Sequence, residues 1–414
     1  MSKGTWGVSK KKRFYIEVWI FLLMLFSVNF FEILPITNLI GPNGPFTFYL
    51  LSLFFMFTFN RRAWISDSAS WLVPLWWLVL GIVLSFIPAL LYYGQSFTQS
   101  FFTNRRMFEL AAFPILIAMR PNEQELRSPL YAFSVVYLVS CIFISFFAPE
   151  WVPHDESRSF IESGDYIHTL SGIRIVFLAY VFAFNRAMRQ TNLNNIAMVM
   201  FQFIVMFIAQ NRTTLAAAVI VAVYVLYTMR MNSNKLIIIA FLVISVLLMA
   251  LYTAGQWNSL YLETISQLTN PEYNRNKSVM YMVASRDWIR YLLGDGFISA
   301  NVNPILHVLQ DSGIYHSDVG FLGFWHQYGV IPTITIIVLT IKGLTHKKSF
   351  LVKASAIYII IGAVTLSYFA LSETLLWLSI YMYLYYSADL ERFQERIVIR
   401  QRWAGWRYRS ISNL

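Results

Sequence analysis

Long apolar runs recur along this 414-residue chain and limit the folds open to it. A helix needs about 20 apolar residues to cross the hydrocarbon core of a bilayer, because each residue adds about 1.5 Å. The runs therefore predict an all-α fold: a polytopic membrane helix bundle of about 12 transmembrane helices, occupying residues 1–414 as a single integral membrane domain. They lie near residues 14–36, 46–60, 71–93, 101–119, 129–148, 169–185, 195–211, 213–229, 236–254, 318–341, 351–368 and 371–387.

The composition agrees with a chain that is solvated largely by lipid. Hydrophobic residues make up 57% and charged residues 13%, whereas soluble proteins carry about 25% charged residues. The single cysteine, Cys141, excludes an internal disulfide and a cysteine metal cluster. The first apolar run, near 14–36, is too long for a signal peptide, so we expect a retained span. Nucleic acid is not an expected partner, because membrane orientation explains most of the net charge of +11.

Basic residues orient the predicted bundle, because Lys and Arg beside spans collect on the cytoplasmic face. Their alternation predicts that both termini are cytoplasmic and that two loops face outward. The first outer loop is 149–168, and the large outer loop is 255–317. Within the large loop we expect two amphipathic helices, at 278–293 and 303–310. The basic tail, 388–414, is expected on the inner leaflet as an anchor.

Nine of the 32 Lys and Arg residues lie on the outer face or at its membrane boundary, against this bias. An arginine placed there usually has an anion to hold. Arginine suits phosphate because its planar fork binds two oxygens and it stays charged. The nine are Arg105, Arg106, Arg158, Arg174, Arg212, Arg275, Lys277, Arg286 and Arg290.

Three of these arginines are predicted to converge on a pyrophosphate carried by a lipid. Arg212, in the sequence QNRTTLAAA, lies at a tight junction between two apolar runs, and a charge near the hydrocarbon region is a functional hypothesis. A snorkelling residue at a span end is the alternative. Arg286 and Arg290 are four residues apart and would share one helix face. The alternative is a surface pairing with Asp287 or Glu272.

Further arginines are predicted to line the same cavity or to bind the substrate. Arg174 opens a span directly after the first outer loop, and Arg105 with Arg106 opens another. An interfacial anchor is the alternative for each. Arg158 and Arg275, on the two outer loops, are predicted substrate-binding residues.

Histidine and carboxylate side chains supply the candidates for proton transfer. Histidine can accept a proton near neutral pH, so His316 is a candidate general base for a sugar hydroxyl. A histidine bonded to a loop backbone is the alternative. Asp318 is a predicted substrate-binding residue, and Glu373 is an alternative base or an arginine partner. His326 is expected to be structural, and 294-GDG-296 is expected to be a turn.

At these residues the chain resembles the bacterial O-antigen polymerase and O-antigen ligase superfamily, integral membrane glycosyltransferases of the GT-C type. The resemblance rests on 210-QNRTT-214 before a small-residue helix, 286-RDWIRYLLGDGF-297 and 315-YHSDVGFLGFWHQYGVIP-332. It covers residues 200–335 by motif and the whole chain by topology. The His-Asn pair of the ligases reads His316-Ser317 here, which favours the polymerase.

The resemblance implies a polyprenyl-pyrophosphate-linked oligosaccharide as donor. A polymerase transfers the growing glycan from its carrier to the non-reducing end of a new lipid-linked repeat unit. Arg212 with Arg286 or Arg290 would hold the departing pyrophosphate, and His316 or a nearby carboxylate would orient or deprotonate the acceptor. No cofactor, nucleotide or metal is demanded, because stabilising the leaving group supplies most of the catalysis.

The bacterial inner membrane is the expected location, with the active site in the periplasm. A chain-length regulator and a flippase are candidate protein partners.

Two other functions fit the same pattern. A ligase would move finished glycan to lipid A core or to a protein. A secondary transporter with twelve spans would match the length and the cytoplasmic termini. Transport is disfavoured because the halves show no repeat and a loop of about sixty residues is predicted outside.

Overall fold

Every regular element in the described part of this computed structural model is a helix, which confirms the predicted all-α class. The structure describes residues 10–41, 43–59, 72–147, 151, 170–209, 212–228, 270, 274–284, 287–298, 314, 319–346, 349–365 and 373–390. In chain order its α-helices are α1 (Lys10–Ser27), α2 (Leu34–Ile40), α3 (Gly44–Phe59), α4 (Val73–Leu84), α5 (Phe86–Tyr93), α6 (Phe97–Thr103), α7 (Ala112–Met119), α8 (Glu123–Phe147), α9 (Ile173–Arg189), α10 (Leu193–Ile208), α11 (Arg212–Thr228), α12 (Asn274–Val283), α13 (Trp288–Leu293), α14 (Gly320–Tyr328), α15 (Val330–Leu344), α16 (Phe350–Thr365) and α17 (374–390). Two 3₁₀ segments are Asn29–Glu32 and Arg105–Ala111.

Two helices within these ranges are long and apolar enough to cross a membrane. They are Val73–Tyr93, which joins α4 and α5, and Glu123–Phe147. A third candidate exists if Leu34–Ile40 and Gly44–Met56, bent by 53°, form one span. The shorter apolar helices are Leu193–Ile208, Thr213–Tyr224, Val330–Leu344 and Phe350–Ala363. The total of about 12 spans therefore stays a prediction.

Three predicted spans are interrupted. These interruptions explain part of the difference between the 12 predicted spans and the two or three long apolar helices in the structure. The run 14–36 breaks where Asn29–Glu32 turns left-handed. The run 101–119 contains the 3₁₀ segment between α6 and α7, and 318–341 divides at Gly329, where φ is +78°. Hydropathy records the apolar composition of a segment and not its backbone breaks, so some helices are shorter than their runs.

Helix α9 lies inside the bundle. Of its 17 residues, 14 are buried, and it packs against α8, α10, α11 and α16. Phe177 stacks on Tyr358 of α16 with 4.3 Å between ring centroids, and the hydroxyl of Tyr180 donates to the carbonyl of Ala218 in α11 at 3.2 Å. An apolar helix that is buried all round is typical of the interior of a large bundle.

The outward faces of several helices are apolar. Phe54 on α3, Trp76 on α4, Leu91 on α5 and Phe147 on α8 are 64–73% exposed, and other large apolar side chains surround them. Soluble monomers rarely expose continuous apolar patches of this kind. The apolar helices and their exposed faces are compatible with a membrane protein.

The amphipathic helix predicted over 278–293 is instead two helices, α12 and α13. Asp287, with φ −62° and ψ 148°, is extended and directly precedes α13; aspartate is among the residues preferred at such a helix start. One helix face carrying both Arg286 and Arg290 is therefore not found, since α13 begins at Trp288 and Arg286 lies outside the described residues. The helix predicted at 303–310 also lies outside them.

The segment 294-GDG-296, predicted as a turn, follows the end of α13 at Gly294 and hydrogen-bonds to the end of α14. Gly294 and Gly296 have φ of +78° and +76°. The backbone N–H groups of Asp295 and Gly296 donate to the carbonyls of His326 and Gln327, both at 2.8 Å. A Cβ on Gly294 would lie 2.5 Å from the Gln327 carbonyl oxygen. Glycine therefore permits the close approach of 294–296 to the end of α14.

Helix α6 begins with a reciprocal cap. Ser96 Oγ accepts from the Gln99 N–H at 3.2 Å, and Gln99 Oε1 accepts from the Ser96 N–H at 2.8 Å. We expect Ser96→Ala to lower the free energy of unfolding by about 1 kcal/mol. Thr98→Ala, at an exposed position inside the same helix, should leave it unchanged or slightly higher. Denaturant unfolding in detergent checks both, and equal losses would contradict the cap's role.

Candidate active site

Arg174 and Glu373, two of the predicted site residues, form a buried ion pair. Arg174 lies in the first turn of α9 and Glu373 directly before α17. Arg174 Nη1 lies 3.5 Å from Glu373 Oε1, and the side chains are 6% and 5% exposed. Arg174 Nη1 also donates to the hydroxyl of Thr374. A buried charge requires a partner of opposite charge. The Glu373 carboxylate therefore compensates for burying the Arg174 guanidinium.

The position of Glu373 at the beginning of α17 also favours its charge. Its carbonyl accepts the first helical hydrogen bond, from the N–H of Trp377 at 3.0 Å. The positive end of the helix dipole stabilises a carboxylate at that end. Arg174 lies at the N-terminal end of α9, where the helix dipole is unfavourable for a cation. The nearby Glu373 carboxylate offsets this unfavourable interaction.

The first turn of α11 reaches the same site. Thr214 is buried, and its hydroxyl lies 3.5 Å from that of Tyr358. Tyr358 interacts electrostatically with both Arg174 and Glu373. We call Arg174, Glu373, Thr374 and Tyr358 the Arg174 site. Arg212 begins α11 two residues before Thr214, and its side chain lies outside the described residues.

Arg290 belongs to a second cluster. Its Nε and Nη2 donate to the two carboxylate oxygens of Asp295 at 2.7 and 2.8 Å. Nη2 also donates to the hydroxyl of Tyr93 at 2.7 Å, and Tyr93 donates to Asp295 Oδ2 at 3.0 Å. We call these three residues the Arg290 clamp. The hydrogen-bonded carboxylate raises the pKa of Arg290, so the guanidinium stays charged.

Aromatic rings and a histidine complete the surroundings of the clamp. The guanidinium carbon of Arg290 lies 5.2 Å from the ring centroid of Tyr92 and 5.7 Å from that of Tyr93, within range of a cation–π interaction. His326 Nε2 lies 3.7 Å from Asp295 Oδ2. His326 is buried and stacks on Tyr281 of α12, which agrees with the structural role predicted for it.

A cavity of about 120 Å³ lies beside Arg105 and Arg106. Its wall includes Glu109, which is buried and accepts a hydrogen bond from the hydroxyl of Ser27 at 2.7 Å. The backbone carbonyl of Glu109 accepts from the hydroxyl of Ser379 in α17 at 3.3 Å. This space, which we call the 105–109 cavity, therefore has a wall in contact with the helix that follows Glu373.

The cavity is also connected to the helix that carries His326. The hydroxyl of Tyr328, the last residue of α14, donates to Asn104 Oδ1 at 2.9 Å. Asn104 directly precedes Arg105, and Tyr328 interacts electrostatically with Arg106. Polar contacts thus link α14, which anchors the Arg290 clamp, with the cavity.

The structure brings together some of the predicted site residues and leaves others undecided. Arg174 and Glu373 meet, and the helix that begins at Arg212 contacts their site. Arg290 is held by Asp295. The convergence of Arg212 with Arg286 or Arg290 stays a prediction. Arg158, Arg286, His316 and Asp318 lie outside the described residues, as do the side chain of Arg275 and nearly all of 149–168 and 388–414.

Sequence reasoning named Glu373 as a possible arginine partner but missed the other partners of these residues. Asp295 could have been recognised as a partner of Arg290 from the sequence, because it lies between two glycines and only five residues after Arg290. Glu109, four residues after Arg105, was equally visible as an acidic residue inside an apolar run. Tyr93 and Tyr358 had no signal, since aromatic residues are common in this chain. Their contacts with Arg290 and Arg174 join segments far apart in sequence.

In the part of the chain that the structure describes, no group of three or more His, Cys, Asp or Glu side chains is placed to hold a metal ion. No model of a known protein family matches the sequence. A search of curated proteins also finds no match.

Proposed function

We propose that this protein is an integral membrane glycosyltransferase that polymerises a bacterial surface polysaccharide, such as an O-antigen or exopolysaccharide. Its donor would be an oligosaccharide on polyprenyl pyrophosphate, and its acceptor the non-reducing end of a lipid-linked repeat unit. The proposed location is the bacterial inner membrane, with both termini in the cytoplasm and the site facing the periplasm.

The observation that carries the proposal is the Arg174–Glu373 pair beside the first turn of α11. A buried arginine in a membrane helix bundle is costly and is by default a functional-site hypothesis. Arg174 and the start of α11 at Arg212 belong to segments that the sequence pattern assigns to the outer side. The QNRTT motif at this point is one of those that resemble the polymerase superfamily.

The chemistry needs little more than charge stabilisation and a proton acceptor. An acceptor hydroxyl oxygen forms a bond to the anomeric carbon of the donor while the bond to the pyrophosphate oxygen breaks. Pyrophosphate leaves on its carrier lipid, with its charge held by Arg212 and by Arg286 or Arg290. The hydroxyl proton passes to His316 or to a nearby carboxylate, for which Glu373 is the candidate.

A glycan ladder from a host strain that lacks its own copy of the gene tests this function. We expect wild type to restore a ladder of long chains. Arg212→Ala should leave mainly one capped repeat unit, because removing one group that stabilises developing charge costs about 10²–10³ in rate. Arg174→Ala should also shorten the ladder, because it removes the partner of Glu373 at the proposed site. The matched control is Arg189→Ala, which removes an exposed arginine paired with Glu123 on the predicted cytoplasmic side.

The other outcomes identify the alternatives. Long chains that accumulate on the lipid carrier in the Arg212→Ala strain would indicate a ligase. An unchanged ladder in the deletion strain, together with altered uptake of a small solute, would indicate a transporter. Either result would contradict the polymerase. Protein abundance in the membrane fraction must be compared for every variant, so that loss of folding is not mistaken for loss of catalysis.

A further inference from the structure

The 105–109 cavity is formed by three segments that the sequence pattern assigns to the outer end of the bundle. They are the end of α1 with the turn that follows it, the start of α3, and the 3₁₀ segment Arg105–Ala111. Arg105 and Arg106 on its wall were predicted from the sequence as possible cavity-lining residues, whereas Asn29, Phe46 and Glu109 were not.

The turn that borders the cavity is strained. Asn29, Phe30, Phe31 and Glu32 have φ of +48°, +51°, +62° and +60°. Left-handed backbone is unfavourable for residues with a side chain, and four in succession are rare. Strain of this kind tends to persist at functional sites, where the surrounding structure imposes it. Here its effect is to place Asn29 on the cavity wall.

Asn29 presents an acceptor that lacks a donor. Its Oδ1 is buried and has no hydrogen-bond partner in the described part of the chain. A buried carbonyl oxygen without a donor is unfavourable, so the geometry suits a ligand that brings an O–H or N–H group. The Glu109 carboxylate, bound on one oxygen by Ser27, adds a second acceptor to the same wall.

The rim of the cavity is cationic. Arg105 and Arg106 are close enough to repel each other electrostatically. Arg105 donates to the Phe102 carbonyl at 3.4 Å, and no ion pair to an acidic side chain is found for it within the described ranges. Two neighbouring guanidinium groups favour an anionic group between or beside them.

The remaining wall is aromatic, and the volume limits the ligand. Phe46 and Phe108 pack edge to face with 4.6 Å between ring centroids. Aromatic faces contact the C–H face of a sugar ring, and the polar groups opposite bind its hydroxyls. A volume of about 120 Å³ is smaller than a cavity of about 150 Å³ known to hold benzene. It therefore encloses the charged edge of one sugar residue, whose remainder lies at the cavity mouth, and it excludes an oligosaccharide or a lipid tail.

We propose that the 105–109 cavity binds one acidic sugar residue of the lipid-linked repeat unit. Arg105 and Arg106 bind the anionic substituent, Asn29 and Glu109 accept from ring hydroxyls, and Phe46 contacts the ring. This inference rests on the proposed function for the origin of the sugar, and it adds a specificity site apart from the pyrophosphate-binding arginines. The repeat unit that the protein polymerises would accordingly carry a uronic acid or a similarly charged sugar.

Binding of methyl glucuronide to the purified full-length protein in nanodiscs tests the proposal, with methyl glucoside as the neutral counterpart. Ligand-observed NMR measures both affinities. We expect glucuronide to bind at least about tenfold more tightly, which corresponds to one charge-assisted contact. Arg105→Ala should remove that preference. Asn29→Gly keeps the positive φ and deletes the side-chain amide. It should weaken the binding of both sugars by a similar factor. Lys342→Ala, at an exposed cation near the end of α15, is the control.

Two further ligands separate the possible sources of the anion. Inorganic phosphate and nanodiscs rich in phosphatidylglycerol should each compete weakly with glucuronide. Competition by either at concentrations well below those of glucuronide would overturn the sugar assignment, as would equal binding of the two sugars or an unaltered Arg105→Ala variant. The ladder assay keeps the proposed function separate. Sugar discrimination without a ladder would refute the polymerase alone, and a ladder without discrimination would refute this subsite alone.

Discussion

Replacing Glu373 with leucine should lower the free energy of unfolding by about 3–5 kcal/mol, one of the two largest effects we expect. The substitution leaves the Arg174 guanidinium in the interior without its carboxylate, and breaking a buried ion pair from one side costs about that much. Both side chains are almost completely buried, so solvent screening offers little relief. Arg174→Met should have an effect of similar size, because it leaves the carboxylate unpaired.

The double variant Arg174→Met/Glu373→Leu should recover most of the lost stability. Apolar side chains of similar volume often replace a buried ion pair at no net cost, because they also remove the desolvation penalty of both charges. Denaturant unfolding in detergent measures all four proteins of this cycle. A double variant that loses as much as the sum of the single variants would contradict the pairing.

The glycan ladder distinguishes a structural role of the Arg174–Glu373 pair from a role in the reaction. The double variant should be folded and present in the membrane yet give no ladder, since the proposed function uses the charged residues. A folded double variant that restores long chains would show that the pair is structural only. That result would remove the observation on which the proposed function depends.

The apolar core was predictable from composition, whereas the breaks between helices were only partly so. Gly329 divides one predicted span and is visible as a glycine in the sequence. The break at 29–32 has the sequence NFFE, which contains neither glycine nor proline. Its left-handed backbone is therefore imposed by tertiary contacts, such as those of buried Phe31 with Phe133 and Tyr137.

Site residues could be recognised individually, but their partners could not. Arg174 and Glu373 stood out because charges are rare at the ends of apolar runs, and arginine partner was one of the two roles predicted for Glu373. The choice among possible partners depends on how α9 and α17 pack, which no local pattern encodes. Arg290 illustrates the opposite case. Its predicted partner was a substrate phosphate, with a surface pairing to Asp287 or Glu272 as the alternative. In the structure the side chain binds Asp295, and its contact with phosphate stays a prediction.

Loss of either charge in the Arg290 clamp should also destabilise the protein strongly. Arg290→Ala removes both guanidinium hydrogen bonds from the carboxylate of Asp295, which is 1% exposed. We expect a loss of about 3 kcal/mol, at the lower end for a broken buried pair because Arg290 is 22% exposed. Asp295→Ala should cost about the same, and the double variant should cost little more than either. Unfolding in detergent gives these values, and the coupling energy should be about 2–3 kcal/mol.

The same cycle decides whether Arg290 also holds the substrate. If its only role is to dock α13 against α5 and α14, Asp295→Ala and Arg290→Ala should shorten the ladder equally and in proportion to their abundance. If Arg290 binds pyrophosphate as predicted, Asp295→Ala leaves the guanidinium available to the substrate. Chain elongation per enzyme molecule should then be far better preserved in Asp295→Ala than in Arg290→Ala. We expect the second pattern, because the clamp lies on the segment that the sequence assigns to the outer face. Equal loss in both variants after correction for abundance would remove Arg290 from the catalytic set and leave Arg212 and Arg286 to bind the leaving group.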